Sequence, residues 1–170
     1  SLGSIIAQLF GAGNRQEIVR NVIQGLWLSL VLAFISILII GNLEPVLNMM
    51  GYEQDVIRVA SDYLKALCWG MPAAYAFVVL RMFSEGLSIT RPAMYFTLLG
   101  LGVNIVSNYA LIFGHFGFPA LGAVGAGWTT SMVHWVMFCA MLVFCMKASM
   151  FESYRKFIAF TRPSWLYLHE

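Results

Sequence analysis

Asn104 and Asn108 lie four residues apart inside an apolar run, and Thr97 lies seven residues before the first of them. At 100° per residue the three fall within about 40° of one another on a helix, and His115 continues the stripe at its outer end. Two carboxamides one turn apart offer carbonyl oxygens and amide donors to a single point. Such a pair can ligate a hard cation or hydrogen-bond a protonatable carboxylate. The alternative is adhesion between helices, where an asparagine bonds a neighbouring span for about 1 kcal/mol. Spacing alone leaves both readings open. Some partner is required either way, because an unpartnered polar side chain in hydrocarbon costs roughly 2–7 kcal/mol.

A second polar group follows in LGAVGAGWTTSM, where Thr130 and His134 are four apart. His134 has the chemistry of a proton carrier, although an isolated histidine beside Trp135 fits a neutral packing residue better. Arg81 and Glu85, also four apart, could serve as a gate latch or, more simply, as a helix-terminal ion pair. Cys68, Cys139 and Cys145 lie in apolar runs with no metal-ligand spacing and read as small buried hydrophobes. His115 and His134 have no third ligand. No Ser-His-Asp, Cys-His or paired-carboxylate arrangement appears, so the sequence offers no catalytic constellation and implies no enzyme. The ten methionines and 15% aromatic residues could line an adaptable cavity, but lipid or neighbouring helices account for them more simply.

The elements that position these groups follow from composition. The chain has 170 residues, of which 60% are hydrophobic and 11% charged, with a mean hydropathy of +0.78. A soluble domain carries roughly 25% charged residues, so a soluble enzyme and a disordered chain are both excluded. The apolar runs are long and continuous rather than short and alternating, which points away from a membrane β-barrel. A net charge of +2 leaves no nucleic-acid footprint. The class is an all-α integral membrane protein.

Residues 1–10 are apolar but reach only about 15 Å as a helix, half a bilayer core, and read as the end of a truncated transmembrane helix. Residues 11–20 follow as a loop, marked by Gly-Ala-Gly-Asn. Uncharged residues 21–43 form the first full span. Residues 44–62 are a polar connector holding Glu44, Glu53, Asp55 and Asp62, with a short interfacial helix near Val56–Ala60. The second span, 63–83, contains Lys65 near one end and Pro72 at its middle, where a kink is expected. Residues 84–92 are a loop leading to a proline-started helix. From Pro92 to Met146 the chain is uncharged for 55 residues, too long for one span. The breakers in residues 114–121 divide it into spans 93–113 and 122–146. Residues 147–170 mix basic and aromatic side chains as an amphipathic surface segment does.

Placing the 11–20 loop in the cytoplasm puts Arg15, Arg20, Arg81, Arg91, Lys147, Arg155, Lys156 and Arg162 inside. Only Arg58 and Lys65 stay outside. A bias of eight against two sets this orientation by the positive-inside rule, with loops 44–62 and 114–121 periplasmic.

Three stretches carry a family likeness. AQLFGAGNRQE (Ala7 to Glu17) with NVIQG (Asn21 to Gly25) resembles the loop after the second helix of multidrug and toxic compound extrusion (MATE) transporters. LRMFSEGLSITRPAM (Leu80 to Met94) resembles their fourth-to-fifth helix junction. GLGVNIVSNYALIFGHFGFPALGAVGAGWTTSMVHWVMF (Gly100 to Phe138) resembles the fifth and sixth helices of the NorM branch. The likeness runs in order along nearly the whole chain.

This resemblance implies that the four spans are helices 3 to 6 in the amino-terminal six-helix lobe of a twelve-helix transporter. It implies an antiporter of the inner (plasma) membrane that exchanges sodium ions or protons for cationic, aromatic drugs by alternating access. No cofactor beyond the coupling ion is implied. The implied partners are membrane lipid, small organic cations and the remaining helices of the same transporter. In NorM-like relatives an amino-terminal-lobe cation or proton site joins a helix 1 aspartate to polar residues on helices 5 and 6. The matching positions are Asn104, Asn108 and Thr130; from their own spacing, Thr97 and His134 add an accessory polar stripe and Arg81 and Glu85 a cytoplasmic gate pair. The aspartate lies outside this sequence, and His134 stands where an uncharged aromatic is expected. Two other readings are a lipid-linked saccharide flippase, which would carry more basic cavity residues, and a non-transporting membrane scaffold or assembly subunit.

Overall fold

Residues 2–154 are described in a computed structural model, and every one of its regular elements is helical. The helices are α1 (Leu2–Gly11), α2 (Arg15–Gly41), α3 (Glu44–Met49), α4 (Gln54–Gly86), α5 (Arg91–Phe113) and α6 (Gly122–Lys147), followed by a 3₁₀ turn at Ser149–Phe151. Four of them, α2, α4, α5 and α6, are long and apolar enough to cross a membrane.

Two helix starts differ from the boundaries set by charge. The turn between α1 and α2 is confined to residues 12–14, so α2 begins at Arg15 and not at 21. Asn14 caps it, accepting a hydrogen bond from the Glu17 backbone N–H at 3.4 Å. Ile18, Val19 and Val22 are buried immediately behind. In the same way α4 starts at Gln54, nine residues before the span read from hydropathy. The polar connector thereby shrinks to α3 and residues 50–53. Ile57 and Ser61 face inward while Asp55, Arg58 and Asp62 face out, so the extension is amphipathic and held by packing. The segment expected as a separate interfacial helix near Val56–Ala60 is the first turns of α4. At 33 residues that helix is about 50 Å long, well beyond a bilayer core.

The helix α4 is the centre of the bundle. It packs on α6 along one side and on α2 and α1 along another, while α5 is carried mainly by α6. Small residues set the close approaches. A Cβ on Gly70 would sit 2.6 Å from the Ser131 Cα, and one on Gly127 would sit 2.8 Å from the Tyr63 carbonyl oxygen. Membrane helices associate through such contacts because no hydrophobic gradient separates them from lipid. The principal apolar cluster gathers at the α1 end of the bundle, around Ile6, Ile18, Phe83, Met141 and Phe151. Phe151 is 1% exposed, with its ring centroid 5.2 Å from that of Phe83 and 5.7 Å from that of Phe144. The described start of the 147–170 segment is thus tucked into the bundle and not laid on the surface. Its later residues, including Arg155, Lys156 and Arg162, lie outside the described residues.

The α5–α6 connection occupies residues 114–121. Gly114 closes α5 in the left-handed conformation at φ 74°, and this turns His115 off the helix. The polar stripe therefore stops at Asn108. His115 instead stacks on Tyr109 with ring centroids 4.2 Å apart.

Candidate functional site

The α5–α6 interface holds the two asparagines. Asn104 and Asn108 are in contact: the Asn108 Nδ2 donates to the Asn104 Oδ1 at 3.0 Å. That bond uses one end of each amide. The Asn108 Oδ1 is buried and has no hydrogen-bond partner. Such an oxygen in a water-poor site is an acceptor awaiting a donor or a cation, at a cost of about 1–3 kcal/mol while it waits.

The register of α6 against α5 comes from its close contacts. A Cβ on Gly125 would lie 2.6 Å from the Leu111 carbonyl oxygen, and one on Gly100 would lie 3.3 Å from the Val133 side chain. Gly125 and Val133 therefore touch α5 at levels that bracket Asn104 and Asn108. Thr129 lies midway between them in sequence, on the same face of α6. It is 0% exposed, and its Oγ1 is the second buried oxygen without a partner. Thr130 is rotated by about 100° from that face, and its hydroxyl donates to the Ala126 carbonyl at 2.9 Å. The threonine that faces α5 is thus Thr129, where the family likeness pointed to Thr130. Apolar residues surround α6 on every side, so sequence periodicity alone does not select between adjacent threonines.

The remaining polar positions are distributed elsewhere. The Thr97 hydroxyl donates to the Ala93 carbonyl at 2.8 Å, and the residue is exposed; its own helix satisfies it. His134 is half-buried on α6. Arg81 and Glu85 form an ion pair at 2.7 Å within the last turns of α4. The described residues contain no cluster of three or more His, Cys, Asp or Glu side chains able to hold a metal.

A separate open groove of about 730 Å³ lies between α2, α4 and α6. Trp69, Trp128, Trp135 and Pro72 line its wall, and Asp62 and Lys65 lie at one end. Its one basic side chain is accompanied by a carboxylate, so the groove has no cationic lining.

Four long apolar helices packed through glycines, with a few uncharged polar groups in the seams between them, define a multi-pass α-helical membrane protein. The MatE family model matches residues 1–110, and the chain belongs to that family. Over 168 residues it is 39% identical to a probable multidrug resistance protein NorM of Oceanobacillus iheyensis, covering 98% of this chain and 38% of the relative. Over 166 residues it is 39% identical to the multidrug resistance protein MdtK of Yersinia pestis, covering 97% and 36% respectively. MdtK of Yersinia pseudotuberculosis gives the same figures. The chain therefore spans little more than a third of the curated relatives it matches.

Proposed function

We propose that this chain is part of a secondary antiporter that exports cationic and aromatic drugs in exchange for sodium ions or protons. It would act in the inner (plasma) membrane, with the remaining helices of the same transporter completing the pathway. The observation that carries the reading is the pair of buried oxygens without a partner, on Asn108 of α5 and Thr129 of α6. Family membership supports the transport class, and the printed names of the relatives support multidrug compounds as cargo.

The chemistry follows from the donor set. Neutral amide and hydroxyl oxygens suit a hard monovalent cation or the O–H of a protonated carboxyl group. A ligand of either kind relieves the desolvation cost of two orphaned oxygens at once. It therefore favours the packing of α5 on α6 in which those oxygens converge, and shifts the population of transporter conformations. Asn104 holds the Asn108 amide in place and leaves its carbonyl oxygen free to act. No bond is made or broken, and the residues provide no catalytic step.

A saccharide flippase is less well supported, because phosphate-linked cargo calls for a basic lining and the groove offers one lysine opposed by Asp62. The test is dye efflux by the full-length protein carrying Asn104→Ala or Asn108→Ala. Each substitution is expected to reduce efflux several-fold at unchanged membrane level. Efflux equal to the parent in both variants would assign the asparagines to helix adhesion.

A further inference from the structure

Pro72 sits within α4, where its missing N–H deprives the Cys68 carbonyl of its helical donor and its ring pushes against that carbonyl. The donors that α6 sends to this stretch of α4 go to the carbonyls on either side of Cys68 and not to the Cys68 carbonyl itself. The Ser131 hydroxyl donates to the Ala66 carbonyl at 2.5 Å, with the Leu67 carbonyl at 3.4 Å. The Trp135 Nε1 donates to the Trp69 carbonyl at 3.1 Å. These three acceptors flank Cys68 on both sides. Ser131 is fully buried and is pressed against Gly70, while the Trp69 and Trp135 rings lie 6.0 Å apart. The two donors are one turn apart on α6, a face separate from the one that carries Thr129.

We propose that Ser131 and Trp135 are positioning residues. They latch α6 to α4 just before Pro72 and so hold the rotation of α6 that turns Thr129 toward α5. The two helices then move as one body, and the outer arm of α4 swings only when the latch opens. The role of this latch in transport rests on the antiporter reading; its effect on helix geometry does not. Neither side chain touches the cargo or the coupling ion.

The test uses the full-length protein with Cys68, Cys139 and Cys145 replaced and spin labels on Val56→Cys and Ala123→Cys, near the outer ends of α4 and α6. The arm from Pro72 to residue 56 is about 24 Å long, so a swing of about 20°, the threshold of a sharp kink, moves its tip by about 8 Å. Ser131→Ala and Trp135→Phe are expected to add a population displaced by several ångströms, and the double variant to enlarge it. In a Pro72→Ala background the same substitutions are expected to leave the distance unchanged, because the Cys68 carbonyl regains its helical donor and α4 loses the hinge about which its outer arm swings. A distance distribution equal to the parent would overturn the latch, and so would an equal displacement in both backgrounds. Dye efflux is read in parallel. If the parent exports nothing while the displacement appears as described, the antiporter reading fails and the latch stands.

Discussion

Replacing Thr129 with valine should separate the account from its nearest competitor, in which Thr130 carries the site. The Thr129 hydroxyl is completely buried with no acceptor or donor in reach, a state that costs about 1–3 kcal/mol. Valine keeps the branched shape and removes the polar atom, so in ion-free detergent Thr129→Val should be more stable than the parent by about that amount. A coupling ion at 100 times its dissociation constant stabilises the parent by about 2.7 kcal/mol. The variant should lose most of this gain, having lost a ligand. Thr130→Val removes a hydroxyl that is satisfied within its own helix, so it should change the ion-free value by no more than about 1 kcal/mol and keep the ion-dependent gain. The assay is thermal unfolding of the full-length protein, read by a thiol-reactive dye at the buried Cys68 and Cys145, with and without sodium and at two pH values. A Thr129→Val protein less stable than the parent in ion-free buffer, with its ion response intact, would mean that Thr129 is neither an orphaned hydroxyl nor an ion ligand.

Two further outcomes follow from packing and charge. Gly70→Ala would place a Cβ 2.6 Å from the Ser131 backbone and should destabilise by about 1–3 kcal/mol. Gly102→Ala meets nothing within 4 Å and should be neutral or stabilise by up to about 1 kcal/mol through helix propensity; thermal unfolding of both variants checks the contrast. Membrane-impermeant labelling of single cysteines should modify Gln54→Cys from outside the cell and Arg15→Cys only after the membrane is opened, and the reverse pattern would invert the topology.

The spans were legible because uncharged runs of bilayer length have few other uses. Their ends were less so, since loss of charge marks where a helix enters hydrocarbon and not where it begins. The Asn14 cap and the burial of Ile18 carry α2 back to Arg15, and the inward face of Ile57 carries α4 back to Gln54. Within the site, the Asn104–Asn108 contact was legible from a four-residue spacing. Thr129 was not, because its direction depends on the seating of Gly125 and Val133 against α5, a tertiary fact. His115 fell off the stripe because one left-handed glycine intervenes. The donors beside Pro72 were also hidden: only the register of α6 shows that Ser131 and Trp135 reach the Ala66 and Trp69 carbonyls, on either side of the Cys68 carbonyl that Pro72 deprives of its donor.

On the proposed antiporter reading the Asn104–Asn108 pair couples ion occupancy to export, and drug flux in proteoliposomes containing the full-length protein, under imposed sodium or proton gradients, reads that coupling. One of the two gradients should accelerate flux by the parent, and Asn108→Ala should transport at the gradient-free rate whichever gradient is applied. An Asn108→Ala protein whose flux responds to the gradient as fully as the parent's would contradict that coupling.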